Sequence, residues 1–72
     1  MSDVFLHKKF TIEQVYLGTE INYIIFDSSG YLCRLVPDEL GFGLSDHDIF
    51  LNNNPDTKII NELSDVIIHR YA

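Results

Sequence analysis

The stretch EINYIIFDSSGYLCRLV, residues 20–36, reads as two antiparallel strands joined by a tight turn. Ile21, Tyr23, Ile24, Ile25 and Phe26, with Tyr31 and Val36 beyond the turn, are β-branched and aromatic residues that fit a pleated, half-buried surface. Between them, Asp27 suits the start of a type I turn and Gly30 the left-handed position after it, which predicts a hairpin with a glycine bulge. With Phe26 opposite Tyr31, the pairs that follow are Ile25–Leu32, Ile24–Cys33, Tyr23–Arg34 and Ile21–Val36. Alternation then places Ile21, Tyr23, Ile25, Leu32 and Val36 on one face, and Ile24, Phe26, Tyr31, Cys33 and Leu35 on the other. Both faces are apolar, whereas an antiparallel sheet in a small monomer usually wets one of them. The expectation is that a helix of this chain covers one face and that a partner or a second copy meets the other.

Upstream, FTIEQVYL at 10–17 has two readings. Thr11 and Gln14 make a capping box for a short helix, but a two-residue Gly18-Thr19 loop suits a type II′ hairpin. Pairing Leu17 with Glu20 also adds Phe10, Ile12 and Tyr16 to the face of Ile21, Tyr23 and Ile25. That agreement between local and global pattern favours a strand, and a three-strand meander. Residues 3–9 are a short strand or an arm, the possible fourth strand. SDVFLHK at 2–8 matches SDVIIHR at 64–70 closely enough to raise equivalent local structure, although its spacing suits no repeat architecture.

Downstream, Pro37 is expected to end the third strand, Asp38-Glu39-Leu40 to make one helical turn, and Gly41-Phe42-Gly43 to form a pliable loop. Phe42 either plugs the core or anchors a partner. Ser45 and Asp48 are placed to cap a short helix ending near Asn52, and Asn54-Pro55 to start a second one. Ile59, Ile60, Leu63, Val66, Ile67 and Tyr71 fall on one helical stripe, so this C-terminal helix is amphipathic and packs on one face of the sheet. A competing variant breaks the helix at Ser64-Asp65 and returns residues 66–71 as a strand. The fold class is therefore α+β, a small antiparallel β-meander with a C-terminal helix, forming a single domain over residues 1–72.

The chain has 72 residues and one cysteine, so no internal disulfide can staple a core of marginal size. MSDVFLHKKF lacks the apolar centre of a signal peptide, and no run approaches the roughly 20 apolar residues that cross a bilayer. Both features read as a cytoplasmic chain with no membrane partner. The formal charge is −6, and residues 35–57 contain five acids and no Lys or Arg. Such a balance argues against direct contact with nucleic acid, which rests on basic patches.

Chemistry is sparse. In Asp46-His47-Asp48 the three consecutive side chains diverge on a helix, so they cannot enclose a metal unaided. No phosphate loop, paired-cysteine motif or nucleophile elbow occurs. The expectation is no catalytic residue, no metal and no cofactor. What remains is binding. Asp38, Glu39, Asp46 and Asp48 form the candidate acidic contact, and Ile24, Phe26, Tyr31, Leu35 and Phe42 the candidate apolar one. By size and charge, the reading is a non-catalytic protein-binding module, a small acidic inhibitor of the phage counter-defence or immunity type. Its partner would be a basic nucleic-acid-processing enzyme met with partial phosphate mimicry. The alternative is a homodimeric structural or accessory subunit whose acids confer solubility.

Overall fold

The computed structural model describes residues 3–71. Five strands, β1 (Val4–His7), β2 (Phe10–Leu17), β3 (Glu20–Asp27), β4 (Gly30–Asp38) and β5 (Gly41–Leu44), precede two helices, α1 (Asp46–Phe50) and α2 (Thr57–Tyr71). The strands form one antiparallel sheet in sequence order. The meander and its C-terminal helix are as the sequence indicates, with two strands more than the three it required.

Residues 10–17 are a strand, paired Leu17–Glu20 across the Gly18-Thr19 loop, with Gly18 at φ +65° as a glycine-first turn demands. In the next hairpin Asp27 Oδ1 accepts the Ser29 N–H at 2.8 Å, and Phe26 faces Tyr31. From there the pairing departs from expectation. A bulge sets Ile25 opposite Cys33, Ile24 opposite Arg34 and Tyr23 opposite Leu35. Leu32 is the extra residue, and it leans against the core. A slip of one residue exchanges the faces of everything beyond it. Cys33 and Leu35 join Tyr23 and Ile25 inside, while Arg34 and Val36 turn outward beside Ile24.

β4 runs one residue past Pro37, because Asp38 and Gly41 close a two-residue hairpin in which Asp38 Oδ1 accepts the Leu40 N–H at 2.9 Å. That turn replaces the expected helical one, and Gly41-Phe42-Gly43 is part of β5 instead of a loop. Helix α2 is unbroken through Ser64 and starts at Thr57, with the Asp56 carboxylate accepting the Lys58 N–H at 2.8 Å in place of the expected Asn54 cap. The matched segments near the two ends take different structures, strand at Val4–His7 and helix at 64–70, while Ser2 lies outside the described residues.

Helix α2 covers the face that carries Phe10, Ile12, Tyr23, Ile25, Cys33 and Leu35, and contributes Leu63 and Ile67 to that core. Five strands at about 4.8 Å spacing span roughly 19 Å, against a helix about 10–12 Å wide. Even so, α2 touches both edges. Glu62 bonds His7 of β1 at 2.7 Å, and Ser64 Oγ accepts the Phe42 N–H of β5 at 3.0 Å. Two positions apart on a helix point about 200° apart, so the sheet curls round α2 and grips it from both sides. The far end is held by the Arg70 guanidinium over the Phe5 ring at 4.1 Å and by Tyr71 packing on Phe5 and Tyr23. Closure on the β5 side depends on Gly41, whose φ is +142° and where a Cβ would stand 2.8 Å from Ile68 Cδ1.

Candidate functional site

The curl leaves a convex outer face and one awkward edge. β5 pairs with only residues 35–38 of β4, so the backbone of β4 nearer its start has no strand beside it. Unpaired strand edges must be satisfied or shielded. Here the segment after β5 does this with side chains. Ser45 N–H still donates to Arg34 C=O at 3.0 Å in strand fashion. The chain then turns into α1, and Asp48 Oδ2 accepts the Arg34 N–H at 2.8 Å while Asn53 Nδ2 donates to Leu32 C=O at 2.8 Å. A carboxylate and an amide thus stand where a longer β5 would offer C=O and N–H.

Asp48 is 1% exposed and collects further donors: Ser45 Oγ at 2.8 Å, Asn53 Nδ2 at 3.0 Å and the Tyr31 hydroxyl at 3.0 Å. Burial alone raises its pKa, but the Arg34 N–H, Asn53, Ser45 and Tyr31 bonds outweigh it and hold the carboxyl below the ordinary carboxylate value. The same contact works on Tyr31 in the opposite sense. Burial, then the bond to Asp48, pushes the phenol up to about 12. Cys33 behind it is fully buried, and its thiol is likewise pushed up to about 12, first by burial and then by Asp48.

These positions revise the candidate contacts. Asp38, Glu39 and Asp46 are exposed, but Asp48 is an internal ligand of the fold with no carboxylate lone pair to offer a partner. Leu35 is fully buried under α2, and Phe42 packs edge-on to Tyr23 at 5.0 Å, so it plugs the core. Ile24 and Phe26 lie half-buried on the convex face, and Tyr31 is 52% exposed with its ring edge-on to Phe26. His7 and His69 do not meet. His7 bonds Glu62, and His69 Nδ1 lies 2.8 Å from Asp65 C=O. Among the described residues, no three His, Cys, Asp or Glu side chains are placed to hold a metal ion, and no helix is long and apolar enough to cross a membrane.

The apolar surface that sequence reasoning missed is on α1. Ile49, Phe50 and Leu51 are 52%, 82% and 58% exposed in succession, and Leu40 at the β4–β5 turn is 95% exposed. No protein-family model, curated protein or solved structure matches the chain. α1 is pinned through Asp48 and Ser45, so the three apolar side chains stand on a fixed platform, with Asp46 in its first turn. The Leu40 turn, carrying Asp38 and Glu39, lies at the other end of the four-residue β5, about 13 Å of extended chain away. The sequence alone did not show the α1 surface: only once the structure commits Asp48 inward does a five-residue helix turn its neighbours Ile49 and Phe50 outward.

Proposed function

We propose that the chain is a non-catalytic protein-binding module that meets its partner through Ile49-Phe50-Leu51, with Asp38, Glu39 and Asp46 as the surrounding carboxylates. The observation that carries this reading is the 82% exposure of Phe50 between two other exposed apolar residues, on a helix whose own anchor is buried. Exposed large apolar side chains that share a surface mark contact sites. Residues 49–51 fan over about 200° at the end of α1, and Phe50 stands at the centre of that arc. Each such side chain is worth roughly 1.5–3 kcal/mol when removed from water. The acids add selectivity for a basic surface and a faster encounter with it. The partner class is thus a protein with a basic groove, a nucleic-acid-processing enzyme among them. With Asp48 committed internally, phosphate mimicry rests on three carboxylates.

The test is affinity capture on the immobilised chain with salt-stepped elution, repeated with Phe50→Asp and with the triple amide Asp38→Asn, Glu39→Gln, Asp46→Asn. Phe50→Asp abolishes retention of the specific partner, and the amides weaken it most at low salt. Equal retention by Phe50→Asp rejects the α1 surface, and equal retention by the amides at all salt concentrations rejects the acidic contribution.

A second reading has its own observation. The convex face carries Val4, Leu6 and Leu17, each at least 49% exposed, beside half-buried Val15, Ile24, Phe26 and Val36. A second copy laid on this face would make a homodimer. Thr11, Glu13, Asn22 and Arg34 interrupt the same face, which ranks it below α1. Sedimentation of the wild type and of Leu6→Asp decides it, since a monomer in both cases removes the reading.

A further inference from the structure

Beside Asp48 lies an open cleft of about 800 Å³, formed by Tyr31, Arg34, Ser45, His47, Leu51 and Asn53 around the carboxylate. Most of its polar groups are already engaged. The Tyr31 and Ser45 hydroxyls donate to Asp48, and the Asn53 amide donates to Asp48 and to Leu32 C=O. Asp48 itself is saturated and shielded, so the cleft does not offer a cation site. Arg34 differs. Its Nε is, among the described residues, the one buried side-chain nitrogen or oxygen with no hydrogen-bond partner. Its guanidinium joins none of the ion pairs there, in a chain with eleven acids. His47, on the exposed side of α1, is a second donor at the same cleft.

The geometry points to an oxyanion site, in which the carboxylate or phosphate group of a ligand docks against Arg34, with His47 as the second donor and Leu51 as an apolar wall. A buried N–H without a partner asks for an explanation, and an ion against the same guanidinium is one. Nε itself is closed to solvent, so the oxyanion meets the terminal nitrogens and Nε–H reports on it. A planar guanidinium fork matches carboxylate and phosphate better than any other side chain does. The Arg34 backbone N–H is fixed to Asp48 at 2.8 Å, so the fork is held at a rigid root. The neighbouring Asp48 charge is spread over four donors, which reduces its repulsion of an incoming anion. The net charge of −6 opposes binding, so a free oxyanion binds weakly.

The test is an NMR titration of the ¹⁵N-labelled chain with inorganic phosphate and, separately, with acetate, at constant ionic strength in chloride. The Arg34 Nε–H resonance is the reporter, and that of Arg70, already paired with Asp3 at 3.3 Å, is the control. A saturable shift at Arg34 and none at Arg70 is expected. Saturation at lower phosphate assigns the site to phosphate groups, and at lower acetate to carboxylates. A linear drift in both titrations, or equal shifts at the two arginines, means a merely hydrated guanidinium and overturns the proposal. Arg34→Gln keeps the backbone bond and is expected to abolish saturation in the His47 and Leu51 amide shifts. Unchanged saturation in that variant also overturns it.

Discussion

Replacing Asp48 by alanine tests whether side chains can stand in for a missing strand. Four donors lose their acceptor, and their replacements differ. Tyr31, half exposed, and Ser45 Oγ, which can rotate, find water or another acceptor. The Arg34 N–H sits in the sheet and cannot turn. A buried donor left unsatisfied costs about 1–3 kcal/mol, and hydrogen bonds to a charged acceptor contribute about 1.5–3 kcal/mol each. Removing the buried carboxylate also relieves its desolvation, which offsets part of this. A net loss of about 3 kcal/mol follows, against a total stability of roughly 4–11 kcal/mol for a chain this long. With a urea slope of about 1 kcal/mol/M, the midpoint should fall by about 3 M.

The pH dependence supplies a second readout. The folded pKa of Asp48 lies below its ordinary 3.8, so its contribution is complete above that value and is lost as pH falls through the lowered folded value. Urea melts at pH 7 and in that acid range should show Asp48→Ala losing stability less steeply on acidification than the wild type. Native-state hydrogen exchange at the Arg34 amide should accelerate more than at Ile25. A stability within about 0.5 kcal/mol of wild type, with unchanged Arg34 exchange, would refute the edge-replacement argument.

Three other outcomes follow from the packing. Leu35→Ala should cost about 3 kcal/mol and Val36→Ala under about 1, as urea melts will show, because the bulge sends Leu35 inward; the opposite order would restore the unbulged register. Gly41→Ala combines a φ of +142° with a Cβ 2.8 Å from Ile68, and should lower stability by about 2 kcal/mol in the same assay, whereas no change would mean the β5–α2 contact is loose. Cys33, with its thiol raised to about 12, should resist a thiol-reactive disulfide reagent at pH 8 in the native chain and react at once in denaturant.

Much of the sheet was legible because its signals are local. Gly18-Thr19 and Asp27–Gly30 each dictate a turn, and the apolar period fixes α2. The sequence places a bulge at Gly30 in the turn, whereas the structure has it at Leu32, a one-residue event with no glycine to announce it. Arg34 was the available clue, since the unbulged register places its charge among Tyr23 and Ile25, and the inserted residue turns it outward. β5 escaped notice because Gly41-Phe42-Gly43 has loop composition; its place in the sheet depends on α2, 22 residues further on, which Ser64 joins to Phe42. Of the candidate site, the exposed acids could be read directly. Asp48 could not, because an acid at the start of a helix looks solvated until the strand edge it serves is known.

The grip of the sheet on α2 also sets how the molecule responds to force. Asp3 bonds both Arg70 and Tyr71, so residues 3 and 71 are neighbours in space. A pull applied between them loads β1 against α2 in a peeling geometry, opening contacts one after another. Once α2 leaves the groove, the inner face of the meander loses its cover, and the remaining ribbon unzips hairpin by hairpin. The expected outcome is a low unfolding force along this axis, measured by single-molecule pulling between residues 3 and 71.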